Sequence, residues 1–146
     1  MNSNIVNAKL IKKLKKFLLN EDNSEFVGKP ATDEQIKEAE TKMGVKFSDD
    51  YIEFIKLFGG AYAGIDIRAF ENAESIGKES VIDFTLALRE SHPKVQDTYV
   101  ISDDGSGNPI MINQNGEVAI FYHDTGESEI LSSSLGEYIE EVFEPW

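Results

Sequence analysis

Residues 36–60 constrain the fold of this chain more than any other segment, because they predict two short amphipathic helices joined by a tight corner. Apolar side chains recur at helical spacing before Gly44, and again before the pair Gly59 and Gly60. A glycine directly after such a run fits a helix end with positive φ. The pattern contains nothing typical of a catalytic motif, so we expect this segment to serve as a scaffold.

Cap residues support the helix assignment. Thr32 and Gln35 form a capping-box pattern ahead of the first of these helices. Ser48 precedes the second helix and is expected to cap it, with two aspartates in the first turn, where the helix dipole favours negative charge. Another capping-box pattern, at Ser134 and Glu137, predicts a helix that closes the chain.

Residues 3–19 predict a basic amphipathic helix that Ser3 caps. A helix of this kind binds a membrane surface or lies against its own domain. Because the rest of the chain is acidic, we interpret it as a helix packed on its own domain. Its basic residues are Lys9, Lys12, Lys13, Lys15 and Lys16.

The second half of the chain predicts an antiparallel sheet. Apolar and β-branched runs alternate with turn signals, of which Asn115-Gly116 is the strongest. The predicted strands are residues 98–102, 109–112 and 117–122, with turns at 103–108, 113–116 and 123–127.

Two earlier segments are less regular. Residues 61–70 alternate as an extended segment, and residues 80–89 combine strand and helix signals, which we interpret as loosely helical. The order of the predicted elements is helices first, then a sheet, and last a helix over residues 135–143. This order predicts the α+β class. We expect about four helices against one face of an antiparallel sheet of four or more strands. The length fits one domain over residues 1–146.

The distribution of charge favours some partners over others. The formal net charge is −13, residues 21–146 hold nine basic against 27 acidic residues, and no Lys or Arg follows Lys94. Such a field repels nucleic-acid phosphates and anionic membranes, and it attracts a basic protein. The same composition also fits an acidic surface that only keeps the protein soluble.

Composition also restricts the chemistry and the compartment. The chain has no cysteine, which excludes disulfides and thiolate metal sites. It has no apolar run of the ~20 residues that a membrane span needs, and no signal-peptide pattern. We therefore expect a cytoplasmic protein without a cofactor or a bound metal.

Two polar segments invite a catalytic or metal-binding interpretation. Residues 103–108 lack the spacing of a calcium loop, the lysine of a phosphate loop and the pentapeptide of a serine nucleophile elbow, so we interpret them as a β-turn. His123 beside Asp124 suggests a general base, but no nucleophile accompanies the pair. His92 is interpreted as a loop residue. A small hydrolase that uses His123 and Asp124 is the third and weakest functional hypothesis.

The order and spacing of these motifs resemble the SUKH superfamily, which groups fungal cell-wall assembly regulators with bacterial immunity proteins. The resemblance lies in the helix pair at 36–60, the strand–turn–strand unit at 99–110 and the closing helix at 133–143. It covers about residues 32–143. Ser48 stands where the family usually has proline, and a serine serves the same helix start.

The resemblance implies an immunity protein that is not an enzyme. Bacterial members look like single-domain antitoxins that bind and neutralise the toxic C-terminal domain of a polymorphic toxin. Many such toxins are nucleases with a basic phosphate-binding face, onto which surplus carboxylates can steer and which they can occlude. The alternative is a regulatory module that binds an endogenous cellular protein, as the fungal members do.

We expect the partner to contact carboxylates that lie in predicted turns or at the lip of the sheet. These are Asp66, Glu71, Glu74, Asp103, Asp104, Asp124 and Glu127. Direct contact with nucleic acid or with a membrane is not expected. Trp146 is interpreted as folding back onto the core, with an interface anchor as the alternative.

Overall fold

The computed structural model describes residues 8–93 and 95–143, in which several helices precede the main sheet and a further helix follows it. Within these residues the α-helices are α1 (Ala8–Leu18), α2 (Asp33–Met43), α3 (Asp49–Phe58), α4 (Val81–Ser91) and α5 (Leu135–Val142), and a 3₁₀ helix spans Glu21–Phe26. The strands are β1 (Ala61–Tyr62), β2 (Asp66–Ile67), β3 (Tyr99–Asp103), β4 (Pro109–Ile112), β5 (Val118–Tyr122) and β6 (Glu127–Ser132). Ser3, the start of the helix predicted from residue 3, and Trp146 lie outside the described residues.

The four longer strands form one antiparallel meander. Their order is β3-β4-β5-β6, and each neighbouring pair is antiparallel. β1 and β2 form a separate two-stranded ladder. Directly after β2, the N–H of Arg68 donates to the carbonyl oxygen of Ile101 at 2.8 Å, which holds this segment alongside β3. The predicted α+β class is confirmed.

Both faces of the sheet are covered, so the expectation that the helices lie on one face was wrong. Strand residues such as Ile101 and Ile112 belong to the main core, together with residues of α1, α2, α3 and α5. On the opposite face, Val100 and Met111 pack with Leu88 of α4 in a second cluster. Strands buried on both faces read as nearly continuous apolar runs, which is how these strands appear in the sequence.

The basic helix α1 lies against the main core. Leu10, Leu14, Phe17 and Leu18 are buried there, while the lysines are exposed. Phe17 meets the ring of Phe143, just after α5, edge-on with the ring centroids 5.5 Å apart. No helix in the described ranges is long and apolar enough to cross a membrane.

The predicted capping box of α2 is confirmed. The N–H of Gln35 donates to Thr32 Oγ1 at 3.1 Å, and the N–H of Thr32 donates to Gln35 Oε1 at 3.0 Å. The box predicted for α5 is half formed. Ser134 Oγ accepts from the N–H of Glu137, but the Glu137 carboxylate accepts from the hydroxyl of Ser133 instead of closing the box.

Asp50 takes the capping role that we expected of Ser48, and that expectation was wrong. The Ser48 hydroxyl makes no cap bond and donates to Asp50 Oδ1 at 2.6 Å. Asp50 Oδ1 also accepts from the N–H of Tyr51 at 2.9 Å, and Oδ2 accepts from the N–H of Gly136 at 3.0 Å. Because Asp50 is only 2% exposed, these bonds replace its lost hydration and tie the start of α3 to the start of α5.

Two elements were not predicted, and one segment was clarified. The 3₁₀ helix Glu21–Phe26 buries no residue, so it leaves no apolar period in the sequence. β6 begins with four exposed residues, so its sequence lacks the alternation of apolar and polar residues by which a strand is predicted. The segment interpreted as loosely helical forms α4, with a capping box between Ser80 and Asp83.

Candidate functional site

Two turns meet at one end of the meander. Alternate connections of an antiparallel meander fall at the same end of the sheet, here the β3–β4 and β5–β6 turns. The N–H of His123 donates to Asn108 Oδ1 at 3.1 Å and joins the two turns. The acids that border both turns therefore share one surface.

The β3–β4 turn holds two exposed carboxylates by hydrogen bonds within the turn. Asp104 Oδ1 accepts from the N–H of Ser106 at 2.8 Å, and Asp103 Oδ1 accepts from the N–H of Gly105 at 2.8 Å. Asn108 Nδ2 donates to Asp104 Oδ2 at 2.9 Å, and this bond is the main cause that lowers the pKa of Asp104. Gly105 has a φ of 84°, a positive value that glycine adopts without strain because it has no Cβ atom. Residues 104–108 thus connect β3 to β4, and the N–H of Asp104 donates to the carbonyl oxygen of Asn108 at 3.1 Å across this connection.

Asp66 joins the same surface from β2. It lines a hollow of about 260 Å³ together with Arg68, Ser102 and Asp103. Burial is the main cause that raises the pKa of Asp66, the Arg68 guanidinium opposes the rise, and the Asp103 carboxylate adds to it. The two carboxylates are therefore close enough to repel each other, although they come from distant parts of the sequence.

The β5–β6 hairpin contributes Asp124 from its turn and Glu127 from the start of β6, and both are exposed. His123 Nδ1 lies 3.2 Å from Asp124 Oδ1. Glu127 is the first residue of β6 and pairs with Tyr122 at the end of β5. These two carboxylates thus extend the acidic surface from the β3–β4 turn to the edge strand.

Glu129 belongs to this surface and was missed by the sequence analysis. Tyr122 Oη donates to Glu129 Oε1 at 2.7 Å, and this bond is the main cause that raises the pKa of Tyr122. The charge of Asp104 raises the same pKa, so Asp104 and Glu129 act on one phenol. The alternation of acids at Glu127 and Glu129 before an apolar pair was the available signal. We use the name acidic end for the surface formed by Asp66, Asp103, Asp104, Asp124, Glu127 and Glu129.

Glu71 and Glu74 lie elsewhere, in the connector between β2 and α4. Glu71 Oε1 is 3.8 Å from Lys29 Nζ, and both side chains are more than half exposed. The carbonyl oxygen of Glu71 accepts from the N–H of Gly60 and from that of Lys29, each at 3.2 Å. The seven predicted contact residues therefore divide into five at the acidic end and two in the connector between β2 and α4.

The histidines give little support to the hydrolase hypothesis. The pair of His123 and Asp124 is 45% and 84% exposed, and no hydroxyl of the described residues is hydrogen-bonded to the His123 ring. His92 packs edge-on against Phe121, with the ring centroids 4.8 Å apart. Residues 8–93 and 95–143 also contain no group of three or more His, Asp or Glu side chains placed to hold a metal ion.

The fold and these motifs agree with a comparison to protein families. The SUKH_5 family model, described as SMI1-KNR4 cell-wall, matches residues 7–144. The chain therefore belongs to the SUKH family. Membership supports a protein-binding role, either in toxin immunity or of the SMI1/KNR4 kind, and proteins of the family are generally non-catalytic. A search of curated proteins finds no match.

Proposed function

We propose that this chain is a single-domain, cytoplasmic immunity protein without enzymatic activity, which neutralises the C-terminal domain of a polymorphic toxin. The toxin domain is a basic nuclease, and the chain occludes its active-site face. The observation that carries the proposal is the convergence of carboxylates from β2, the β3–β4 turn and the β5–β6 hairpin on the acidic end. Family membership supports a protein partner, and the negative charge of the acidic end favours a partner with a positively charged surface.

The geometry of the acidic end favours capture of a cationic surface. Asp103 and Asp104 are held by hydrogen bonds within their turn, so binding restricts little additional side-chain motion. Two opposite unit charges 4 Å apart attract by about 1 kcal/mol in water, and more where an interface excludes water. A field of several such charges raises association rates by about 10- to 1,000-fold.

The proposal gives the predicted contact residues different weights. Asp66, Asp103, Asp104, Asp124 and Glu127 form the main contact with the toxin domain. Glu71 and Glu74 lie on another part of the surface, and Lys29 offsets part of the Glu71 charge. We assign that pair a secondary role at the margin of the contact.

Co-expression with the C-terminal domain of the protein encoded by the neighbouring gene, as the candidate toxin domain, tests the proposal. The wild-type chain should restore growth and co-purify with the toxin domain. The double variant Asp124→Lys/Glu127→Lys should lose rescue, because it replaces negative charge at the acidic end with positive charge. Both residues are exposed, and Asp124 contacts the neighbouring His123 within the same turn.

The matched control is Glu71→Lys/Glu74→Lys, which changes the net charge by the same amount at the other location. It should keep most of the rescue. Equal loss by the two double variants would show that net charge, and not the acidic end, determines binding. Absence of rescue by the wild-type chain would contradict the immunity function.

A second candidate is a regulator that binds an endogenous protein, and the SMI1-KNR4 cell-wall description of the family favours it. The two candidates differ in gene context and in co-expression. A regulator has no toxin gene beside it, and it does not relieve the toxicity of a toxin domain.

A further inference from the structure

An apolar groove opens between α4 and the second face of the sheet. Its volume is about 320 Å³, at the lower end of the range for sites that take a small molecule or a large side chain. One wall consists of Phe84, Ala87 and Leu88 from α4, and the other includes Val100 and Pro109 from the sheet. Ala87 is exposed, so this wall is open to solvent along α4.

The groove adjoins the acidic end. Asp103, Gly107 and His123 also line it, and these residues belong to the two turns that form the acidic end. Ser102 and Asp103 line both the groove and the neighbouring hollow that contains Asp66. An apolar cavity and a cavity lined by two carboxylates and the Arg68 guanidinium therefore share one wall.

A side chain that lines the hollow and one that lines the groove hold each other in place before any partner arrives. The guanidinium carbon of Arg68 lies 4.2 Å from the ring centroid of Phe84, and Arg68 Nη1 donates to the carbonyl oxygen of Glu79 at 3.1 Å. A cation over an aromatic face restrains both side chains. A preformed groove loses less conformational entropy on binding than one that must be ordered.

We propose that this groove receives one apolar or aromatic side chain of the partner, from a segment whose adjacent Arg or Lys enters the hollow between Asp66 and Asp103. The shared wall of Ser102 and Asp103 brings the two cavities within the reach of neighbouring residues, since an extended chain spans about 3.3–3.6 Å per residue. The proposal rests on the proposed function for the biological identity of the partner, but its recognition chemistry is tested separately.

Charge complementarity selects this occupant over the alternatives. A second copy of the chain would bring another set of carboxylates against Asp66 and Asp103, and like charges at an interface are unfavourable. Anionic lipid and nucleic acid are repelled for the same reason. An aromatic or aliphatic anchor beside a cation is the combination that dominates many protein interfaces.

Short peptides test the recognition chemistry directly on the full chain. The probe is N-acetyl-Arg-Trp-amide, with N-acetyl-Glu-Trp-amide and N-acetyl-Arg-Gly-amide as matched controls, followed by ¹H–¹⁵N spectra. The Arg-Trp peptide should shift the amide signals of Ala87, Leu88, Val100 and Asp103 saturably, and bind about tenfold more tightly than either control. Equal shifts with all three peptides, or saturable shifts elsewhere on the chain, would overturn the proposal.

A variant that fills the groove provides a second readout. Ala87→Trp places a large ring in the groove from an exposed position of α4, so the core is left intact. It should weaken binding of the Arg-Trp peptide by at least about tenfold. Leu86→Trp is the matched control, because Leu86 is 40% exposed on the same helix and does not line the groove. Circular dichroism and thermal unfolding verify that both variants are folded, and equal peptide affinity in the two variants would reject the groove.

Rescue from the toxin domain separates this proposal from the proposed function. If Ala87→Trp rescues like the wild type while Asp124→Lys/Glu127→Lys fails, the immunity function holds and the groove does not take an anchor. If the Arg-Trp peptide binds in the groove but the wild type never rescues, the recognition site holds and the immunity function fails.

Discussion

The two ends of the four-stranded sheet use the same functional group in opposite ways. At the end beside the β4–β5 turn, the carboxylate of Asp50 is 2% exposed and accepts hydrogen bonds from Ser48, Tyr51 and Gly136. At the other end, Asp103, Asp124 and Glu127 are exposed to solvent. A buried carboxylate is tolerated only with its hydrogen bonds complete, whereas an exposed one keeps its charge available to a partner.

Asp104 lies between these extremes. It is exposed, yet its two oxygens accept from Ser106 and Asn108 within the turn. The two ends therefore differ in which groups the hydrogen bonds of the carboxylate connect. Asp50 joins two helices across the core, and Asp104 fixes the position of charges on the surface.

Removal of the Asp50 carboxylate should have the largest effect on stability. Asp50→Ala leaves the buried N–H groups of Tyr51 and Gly136 without an acceptor, and each such loss costs about 1–3 kcal/mol. We expect the free energy of unfolding to fall by about 3 kcal/mol in urea titrations.

The neighbouring Asp49 offers a matched control for that prediction. Asp49 is exposed in the first turn of α3, so Asp49→Ala should remove only a helix-dipole contribution of about 0.3–1 kcal/mol. If Asp49→Ala and Asp50→Ala lower the free energy of unfolding equally, the buried carboxylate of Asp50 has no special role in stability, and the contrast with the exposed carboxylates at the other end fails. Asp50→Asn, which keeps the shape and one carbonyl oxygen, should fall between them.

Asp104 and Asp66 should each have a smaller effect on how the free energy of unfolding depends on pH, and the two effects should have opposite signs. The pKa of Asp104 is lowered in the folded state from its ordinary value of 3.8, so its stabilising contribution is present above that pH and is lost as the pH falls through the lowered pKa. The pKa of Asp66 is raised, so its ionised form destabilises the fold above the raised pKa, and the penalty disappears as the pH falls towards 3.8.

Asparagine variants measure these two contributions. Between pH 7 and pH 3, roughly the range over which carboxylates titrate, acidification should lower the stability of the wild type relative to Asp104→Asn. Over the same range it should raise the stability of the wild type relative to Asp66→Asn. Urea unfolding at several pH values gives both differences. A change of the same sign for both residues would contradict the environments described for them.

The elements that were predicted correctly are those whose structure depends on residues close together in the sequence. The capping box at Thr32 and Gln35, the glycine after α2 and the hairpin turns depend on residues a few positions apart. Gly44 has a φ of 66°, as a helix end of this kind requires. The order of these elements, with helices first, an antiparallel sheet second and a helix last, then predicted the α+β class.

Contacts between distant residues accounted for most of the differences. The role of Asp50 depends on Gly136, which no spacing rule connects to it. The approach of Asp66 to Asp103 depends on β2 lying beside β3. β6 was missed because its first residues face solvent, and with it Glu129 was missed as part of the acidic end. The sequence alone could name acidic residues in turns and at strand ends, but their grouping at the acidic end depends on the fold.

The rate of association with the toxin domain tests most directly whether the acidic end attracts a cationic partner. Stopped-flow measurements from low to high salt should show the rate falling about tenfold or more, because a screening length of about 10 Å at 0.1 M salt shortens to about 3 Å at 1 M. Asp124→Lys/Glu127→Lys should lower the rate at low salt and flatten its salt dependence, while Glu71→Lys/Glu74→Lys should change both much less. A rate that does not depend on salt, in the wild type and in both variants, would contradict electrostatic attraction to the acidic end.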